Sequence, residues 1–353
     1  GRIPQLCPRR ARERATMGAK KAFDWSTAQS SHFLLRLAYV GTRYHGVAWQ
    51  QPEVANTVEN ELFNALMRTC LIQSREKCNF SRCGRTDRGV HAFGNYVAMT
   101  LRELPGGTKE YLKILNRVLP GDIRILAAVP VPADFDARFR CTGRVYKYFF
   151  AAHGYDLARM TRASEAFLGE HDFRNFCKAD VEATSNFVRT VREVRFEPKG
   201  PCVEVTIVGS AFLWHQIRCM MAVLFLVGQG LEDEAIIAEL LDVSRVPAKP
   251  CYDLASEDGL VLFDASYPGL ELTPEPEALA AFRTAQAEAQ RRLAVLSCLA
   301  GADAEPAGVA PSRHKKLLSR ARELSVEERL QKRARAGAGA AEGDGRAGAG
   351  AEE

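Results

Sequence analysis

The stretch "CGRTDRGVHAFGN", residues 83–95, sets one carboxylate, Asp87, between two guanidinium groups, Arg85 and Arg88, and turns at Gly89. Asp and Gly favour tight turns for geometric reasons alone, so a lone "DRG" reads as a surface turn. A carboxylate in a dry cleft is another matter. Burial disfavours its charge, a neighbouring cation restores it, and the product is an activated nucleophile. Two other stretches carry matching chemistry. "ARFRCTGRVYKY" holds Arg138, Arg140, Arg144 and Lys147 beside Tyr146 and Tyr148, and Arg82 stands just ahead of the Asp87 stretch. Such cations suit a polyanion's phosphates, and the two tyrosines, as alternate strand residues, share a face; as solvated charged faces the cations would need no partner at all. "AFLWHQIRCMMAVLFLVGQG" places Arg218 among Ile217, Cys219, Met220 and Met221, on the apolar side of a helix, where a guanidinium can face a buried acid. His91 and His215 invite a general-base role, although a histidine on an apolar helix is more often a hydrogen-bonded core residue.

The elements that must position these residues follow from periodicity. "HFLLRLAYVG" (32–41) and the ten residues from Ala92 to Leu101 read as strands. "NTVENELFNALMRTCLI" (56–72) reads as an amphipathic helix with a capping box from Asn56 to Glu59. "KEYLKILNRVLP" repeats the helical pattern and "DIRILAAVPV" is strand-like. From Arg144 the alternation starts again: the strand "RVYKYFFAA", a short helix "RASEAFLGE", a hairpin of "TVREVRFEP" and "CVEVTIVGS", the long apolar helix, "DEAIIAELLD", and a last strand "GLVLFDA". Two halves, about 32–140 and 141–270, make an α+β fold: a largely antiparallel mixed sheet with helices on one face and a central cleft lined by "FDARFRCTGRVYKY". Residues 1–31 read as a flexible basic tail. Residues 271–353 read as a partly disordered extension with a helical segment, a basic helix candidate expected to be a solvated appendage, and a low-complexity end, "GAGAAEGDGRAGAGAEE".

Composition bounds the partners. The 353 residues are 46% hydrophobic and 26% charged, as in a globular chain of one or two domains. The longest apolar run, Met220 to Val227, is far short of the roughly 20 residues that span a bilayer, so no membrane partner is expected. The net charge of +5 is only mildly basic, so phosphate binding must rest on local clustering. Ten cysteines without a C-x-x-C pair read as reduced thiols of a nuclear or cytosolic protein, and no metal is expected. The arginine-rich start is compatible with an organellar transit segment or with sequence upstream of a start at Met17.

Taken in order, "GRTDRGVHA", "RVYKY", "AFLWHQIRCM" and the connecting "LPGDIRILAAVPVPADFDARF" resemble the TruA family of tRNA pseudouridine synthases, over about Phe33 to Pro268. "GVAWQ", "HDFRNFCKADV" and "HQIRCMMAVLFLVGQG" are similar to the eukaryotic branch acting on positions 38 and 39 of the anticodon stem-loop. The resemblance implies a pseudouridine synthase fold of two pseudo-symmetric halves and a cofactor-free isomerase with tRNA as partner. It implies Asp87 as nucleophile, attacking ribose C1′ or uracil C6, with Tyr146 against the base and Arg218 as the carboxylate's counter-ion. Arg85 would fill the gap left by the extruded base or hold its phosphate, and Arg82, Arg88, Arg138, Arg140, Arg144 and Lys147 would meet the RNA backbone. It also allows a homodimer. Two rivals stand beside it: a catalytically silent tRNA-binding protein or chaperone of the same fold, and a metal-dependent nuclease. The nuclease would need several convergent carboxylates, where the motif region offers only Asp87.

Overall fold

A computed structural model describes residues 23–182, 184–200, 202–287 and 314–344. Its strands are β1 (Ser30–Tyr39), β2 (Ser81–Arg82), β3 (His91–Arg102), β4 (Ile123–Pro130), β5 (Gly143–Ala151), β6 (Gly169–Asp172), β7 (Val188–Lys199), β8 (Cys202–Gly209) and β9 (Leu260–Ser266). They form one mixed sheet in the order β4-β1-β3-β9-β5-β8-β7-β6, with β2 alongside β3. Every neighbouring pair is antiparallel except β3 and β9. The last strand of the second half thus inserts between the halves and joins them through β3 and β5.

Alternation along the strands sorts side chains to two faces. Leu35, Leu37 and Tyr39 of β1 and Val97, Met99 and Leu101 of β3 pack under α1 (Val58–Arg68) and α2 (Thr108–Val118). Leu34, Tyr96 and Ala98 face the other way, onto the connecting residues Phe135, Ala137, Tyr267 and Leu272. In the second half Val203, Val205 and Ile207 of β8 pack under α3 (Leu157–Ser164), α4 (Gln216–Gly228) and α5 (Ile236–Leu241). Tyr146 touches the helix-covered clusters of both halves.

Three expectations need correction. The cap of α1 is Thr57, whose hydroxyl accepts the Asn60 amide at 3.2 Å, rather than the pair Asn56 and Glu59. Glu59 is fully buried and turned inward, where Arg82 donates to both its oxygens at 2.5 and 2.8 Å. Arg82 is therefore spent on a buried ion pair and is not a free phosphate contact at the rim. The part of the C-terminal extension within the described residues is also no appendage. The chain is helical over 276–287 (α6), where Ala278 and Phe282 join the first-half core. Residues leading into α7 (Val326–Asp344) dock on the second half: Leu317 is fully buried, Glu232 accepts from His314 and from the Leu317 amide, and Lys249 pairs with Glu323. Residues 1–22, 288–313 and 345–353, which include most of the expected tail and the low-complexity end, lie outside the described residues. No helix among the described residues is long and apolar enough to cross a membrane.

Burial pushes the Glu59 carboxyl up and Arg82 opposes the shift. An acid raised in the folded state favours the fold when protonated, and that contribution is lost as pH rises through its folded value. Arg82→Leu strands the carboxylate. Urea unfolding near neutral pH should show a loss of about 3–5 kcal/mol, narrowing in mild acid where Glu59 takes up a proton.

Candidate active site

The helix start braces the loop that carries Asp87. The first N–H groups of an α-helix lack intrahelical partners; in α1 those of Val58 and Glu59 bond the Gly46 and Val47 carbonyls at 3.2 and 3.0 Å. The segment so fixed holds the loop, because the Val47 amide donates to the Thr86 carbonyl at 3.1 Å and Tyr44 accepts from the Gly89 amide at 3.2 Å. The approach is close enough to require glycine at position 46: φ is +98° and a Cβ would stand 2.8 Å from the Thr86 oxygen. Side chains complete the brace. Asn95 on β3 donates to the Gly84 carbonyl and to the Tyr39 phenol, both at 3.1 Å, so the phenol's own proton goes to the Thr86 hydroxyl at 2.7 Å. Burial holds the Tyr39 phenol well above its usual range, so it remains a neutral donor.

Asp87 emerges from this loop with about a third of its side chain exposed and meets the start of α4 in the other half. The Trp214 indole donates to Oδ1 at 3.0 Å, and His215 Nε2 lies 3.4 Å from Oδ2. His215 adopts the left-handed conformation (φ 63°), unusual for a residue with a side chain. Its Nδ1 is buried without a partner. Burial lowers the imidazole's pKa, with Asp87 opposing and Arg218, Lys178 and Lys249 reinforcing the shift. A neutral ring with an orphan Nδ1 places its single proton on Nε2, toward Asp87.

The expected contact of Arg218 with Asp87 is absent. Arg218 donates to the Ala255 carbonyl at 2.6 Å and to Glu257 at 2.8 Å, so its charge is met by a different acid. Glu257 in turn packs against the loop turn, for a Cβ on Gly89 would stand 2.7 Å from its Cγ. Arg218 thus props the loop from behind. Neither Glu257 nor Trp214 was anticipated. Trp214 lies inside the third motif, but an indole there reads from sequence as core, whereas it is 44% exposed and carries Lys178 over its face at 4.3 Å.

On β5, Arg144, Tyr146 and Tyr148 share a face. Tyr146 is half-buried, edge-on to Phe212 at 5.2 Å. Burial raises its phenol, with the Arg144 charge opposing and the Asp87 charge adding. Tyr148 is buried and donates to the Ser256 carbonyl at 2.8 Å, which is a packing role. His91 accepts the Gly41 amide at 3.1 Å and also reads as architecture. Lys147 points to the opposite face, where it pairs with the buried Glu204 at 2.6 Å and covers Phe263, so it does not join the cations of the cleft. Arg144 donates to the Ser210 and Cys83 carbonyls at 3.1 and 3.0 Å. Arg85, Arg88, Arg138 and Arg140 are exposed, the last in a surface pair with Asp134.

A family model described as tRNA pseudouridine synthase matches residues 163–268. The chain is 44% identical over 281 residues to the tRNA pseudouridine(38/39) synthase of Mus musculus, covering 70% of this chain and 58% of that protein. It is 40% identical over 281 residues to a probable tRNA pseudouridine synthase of Caenorhabditis elegans, covering 70% of each. It is 36% identical over 235 residues to tRNA pseudouridine synthase A of Methanosarcina mazei, covering 66% of this chain and 83% of that protein. The chain spans 58–60% of the length of the mammalian relatives it matches.

The brace itself is testable. Thr86→Val leaves the buried Tyr39 proton without an acceptor and should cost about 1–3 kcal/mol in urea unfolding. Adding Tyr39→Phe removes that orphaned proton but leaves one Asn95 N–H without its acceptor, so the double variant's loss should fall short of the sum of the two single losses without a return to wild-type stability.

Proposed function

The chain belongs to the tRNA pseudouridine synthase family, and from that membership we propose that it isomerises uridine to pseudouridine in the anticodon stem-loop of tRNA, at positions 38 and 39. The carrying observation is the Asp87 carboxylate, held on a braced loop, bonded by the Trp214 indole N–H and faced by the His215 ring at 3.4 Å, both from the opposite half. The names of the mouse and human relatives favour the two positions. The reaction breaks the bond from C1′ to N1 and forms one from C1′ to C5. N1 gains a proton and the C5 hydrogen leaves to solvent, so no co-substrate is consumed.

Asp87 attacks C1′ or C6. The indole N–H holds its carboxylate at the cleft, and a charge-assisted bond of this kind is worth about 1.5–3 kcal/mol. Extruding the uridine costs a few kcal/mol. Stacking on Tyr146 returns about 1–3 kcal/mol, and its raised phenol stays protonated, so it enters the reaction as a donor. Arg85, exposed on the loop, fills the place vacated by the base, with Arg88 beside it. Arg138, Arg140 and Arg144 meet phosphates. Arg218 is a positioning residue acting through Glu257. A homodimer and a nuclear or cytoplasmic setting accompany this proposal as expectations.

Purified protein and unmodified tRNA carrying 5-tritiated uridine, without added metal, test it. Tritium release supports isomerisation; strand cleavage or binding without release overturns it. Asp87→Ala should abolish release and leave the tRNA Kd within about threefold, since one acid among phosphate-binding cations contributes little to affinity. Retained turnover in that variant would remove the nucleophile.

Trp214→Phe keeps the ring and deletes one donor to the charged carboxylate. Single-turnover rates should fall by roughly ten- to a hundredfold, with the tRNA Kd within about threefold. An unchanged rate would assign the indole a packing role only.

A further inference from the structure

Among the described residues several arginines near the site have no acid at ion-pair distance: Arg85 and Arg88 on the Asp87 loop, Arg192, which bonds the Thr142 carbonyl, and Arg138, Arg144 and Arg189. Arg144 bonds only the Ser210 and Cys83 carbonyls. Arg138 makes no ion pair among the described residues and lies over its neighbour Phe139 at 5.5 Å. Arg189, on β7, donates from one terminal nitrogen to the Asn186 and Val188 carbonyls at 3.0 and 2.6 Å, while its Nε is buried with no partner. Burial lowers the Arg189 guanidinium's pKa most, Cys177 opposes it, and the charges of Arg144 and Arg138 lower it further. Assembling like charges without a carboxylate disfavours the folded state, and an anion supplied from outside removes that cost.

The cluster adjoins the site already described. Arg144 is two residues from Tyr146, and the carbonyl it holds belongs to Cys83, the start of the Asp87 loop. Asp136 fixes the other edge by accepting the Arg138 and Phe139 amides at 2.7 and 3.0 Å, so Arg138 is presented from a defined turn. Ser210, which receives Arg144, donates its own amide to the Thr190 carbonyl next to Arg189 at 3.0 Å. Arg144 and Arg189 thus flank β8, joined through Ser210 and the register at Gly209, and the Arg138 charge acts on Arg189 from the 136–140 turn. Guanidinium matches phosphate oxygens in bidentate geometry.

We propose that Arg189 completes, with Arg138 and Arg144, a three-guanidinium site for one phosphodiester of the RNA chain beside the target nucleotide. The site deepens the isomerase proposal and rests on it for the identity of the anion. Its role is to fix the register of the strand, as phosphate contacts do, rather than to read bases. Arg189 was not singled out by the sequence because it stands one residue ahead of the hairpin strand "TVREVRFEP" (190–198) and outside every motif quoted above.

The test is binding of a fluorescein-labelled anticodon stem-loop RNA to the full chain across a series of NaCl concentrations, beside single-turnover tritium release. Arg189→Gln should weaken binding about tenfold and flatten the slope of log K against log salt by about one. Arg189→Lys should retain the slope while losing part of the affinity. Arg138→Gln should flatten the slope equally without lowering the melting temperature, because that side chain is exposed and holds nothing in place; it carries the test should Arg189→Gln fold poorly. Wild-type slopes in both glutamine variants would overturn the site. If the wild type binds with these slopes but releases no tritium, the isomerase proposal fails and the anion site stands.

Discussion

The site depends on holding one short loop rigid against two neighbours that approach from different halves of the chain. Backbone contacts do most of the holding. The unpaired N–H groups at the start of α1 anchor the segment containing Gly46, and that segment bonds the Thr86 carbonyl next to Asp87. The chain of Asn95, Tyr39 and Thr86 then locks the loop onto β3 and β1. Each link lies in a buried setting, where a hydrogen bond missing its partner costs more than a made one contributes. The arrangement is therefore close to all-or-none, as positioning a reactive group within a fraction of an ångström demands.

The second half supplies what the loop lacks. Trp214 and His215 reach Asp87 from the start of α4, while Arg218, one turn on, secures Glu257 behind Gly89. These contacts depend on how the halves are joined, and the join is β9: a strand from the end of the domain lies parallel to β3 and antiparallel to β5. A disturbance at this seam separates the carboxylate from its donors even if each half stays folded. The left-handed backbone and orphan nitrogen of His215 are local costs maintained at that meeting point, and strain of this kind persists where surrounding structure over-determines it.

Periodicity revealed nearly all the strands and helices, because one face of each is buried and the other is not. "RVYKYFFAA" maps onto β5 within a residue, and "KEYLKILNRVLP" contains most of α2. Asp87 and Tyr146 were singled out through the resemblance of their motifs, and both lie where the two halves meet. Pairing was not legible. Arg82 and Lys147 looked like their neighbours in sequence, yet Glu59 and Glu204, 23 and 57 positions away, claim their charges. Arg218 looked like the partner of Asp87 because its helix face was right; the competing acid, Glu257, sits 39 positions on in a loop without periodic signal. Tertiary proximity of charges has no local signature, and so the sequence identified the cations but could not assign their partners.

That sorting of cations bears on how a chain of net charge +5 can carry the phosphate-binding face proposed above. Arg82, Lys147, Arg174 and Lys249 are each paired with a carboxylate and serve the architecture. Arg138, Arg144 and Arg189 bond backbone carbonyls or nothing, and the carbonyl dipoles orient them without cancelling their charge. A carbonyl leaves a guanidinium's remaining N–H groups and its full charge available, whereas a buried carboxylate uses both. Arginines of this second kind beside Asp87 keep their charge for a polyanion even where the overall charge is modest.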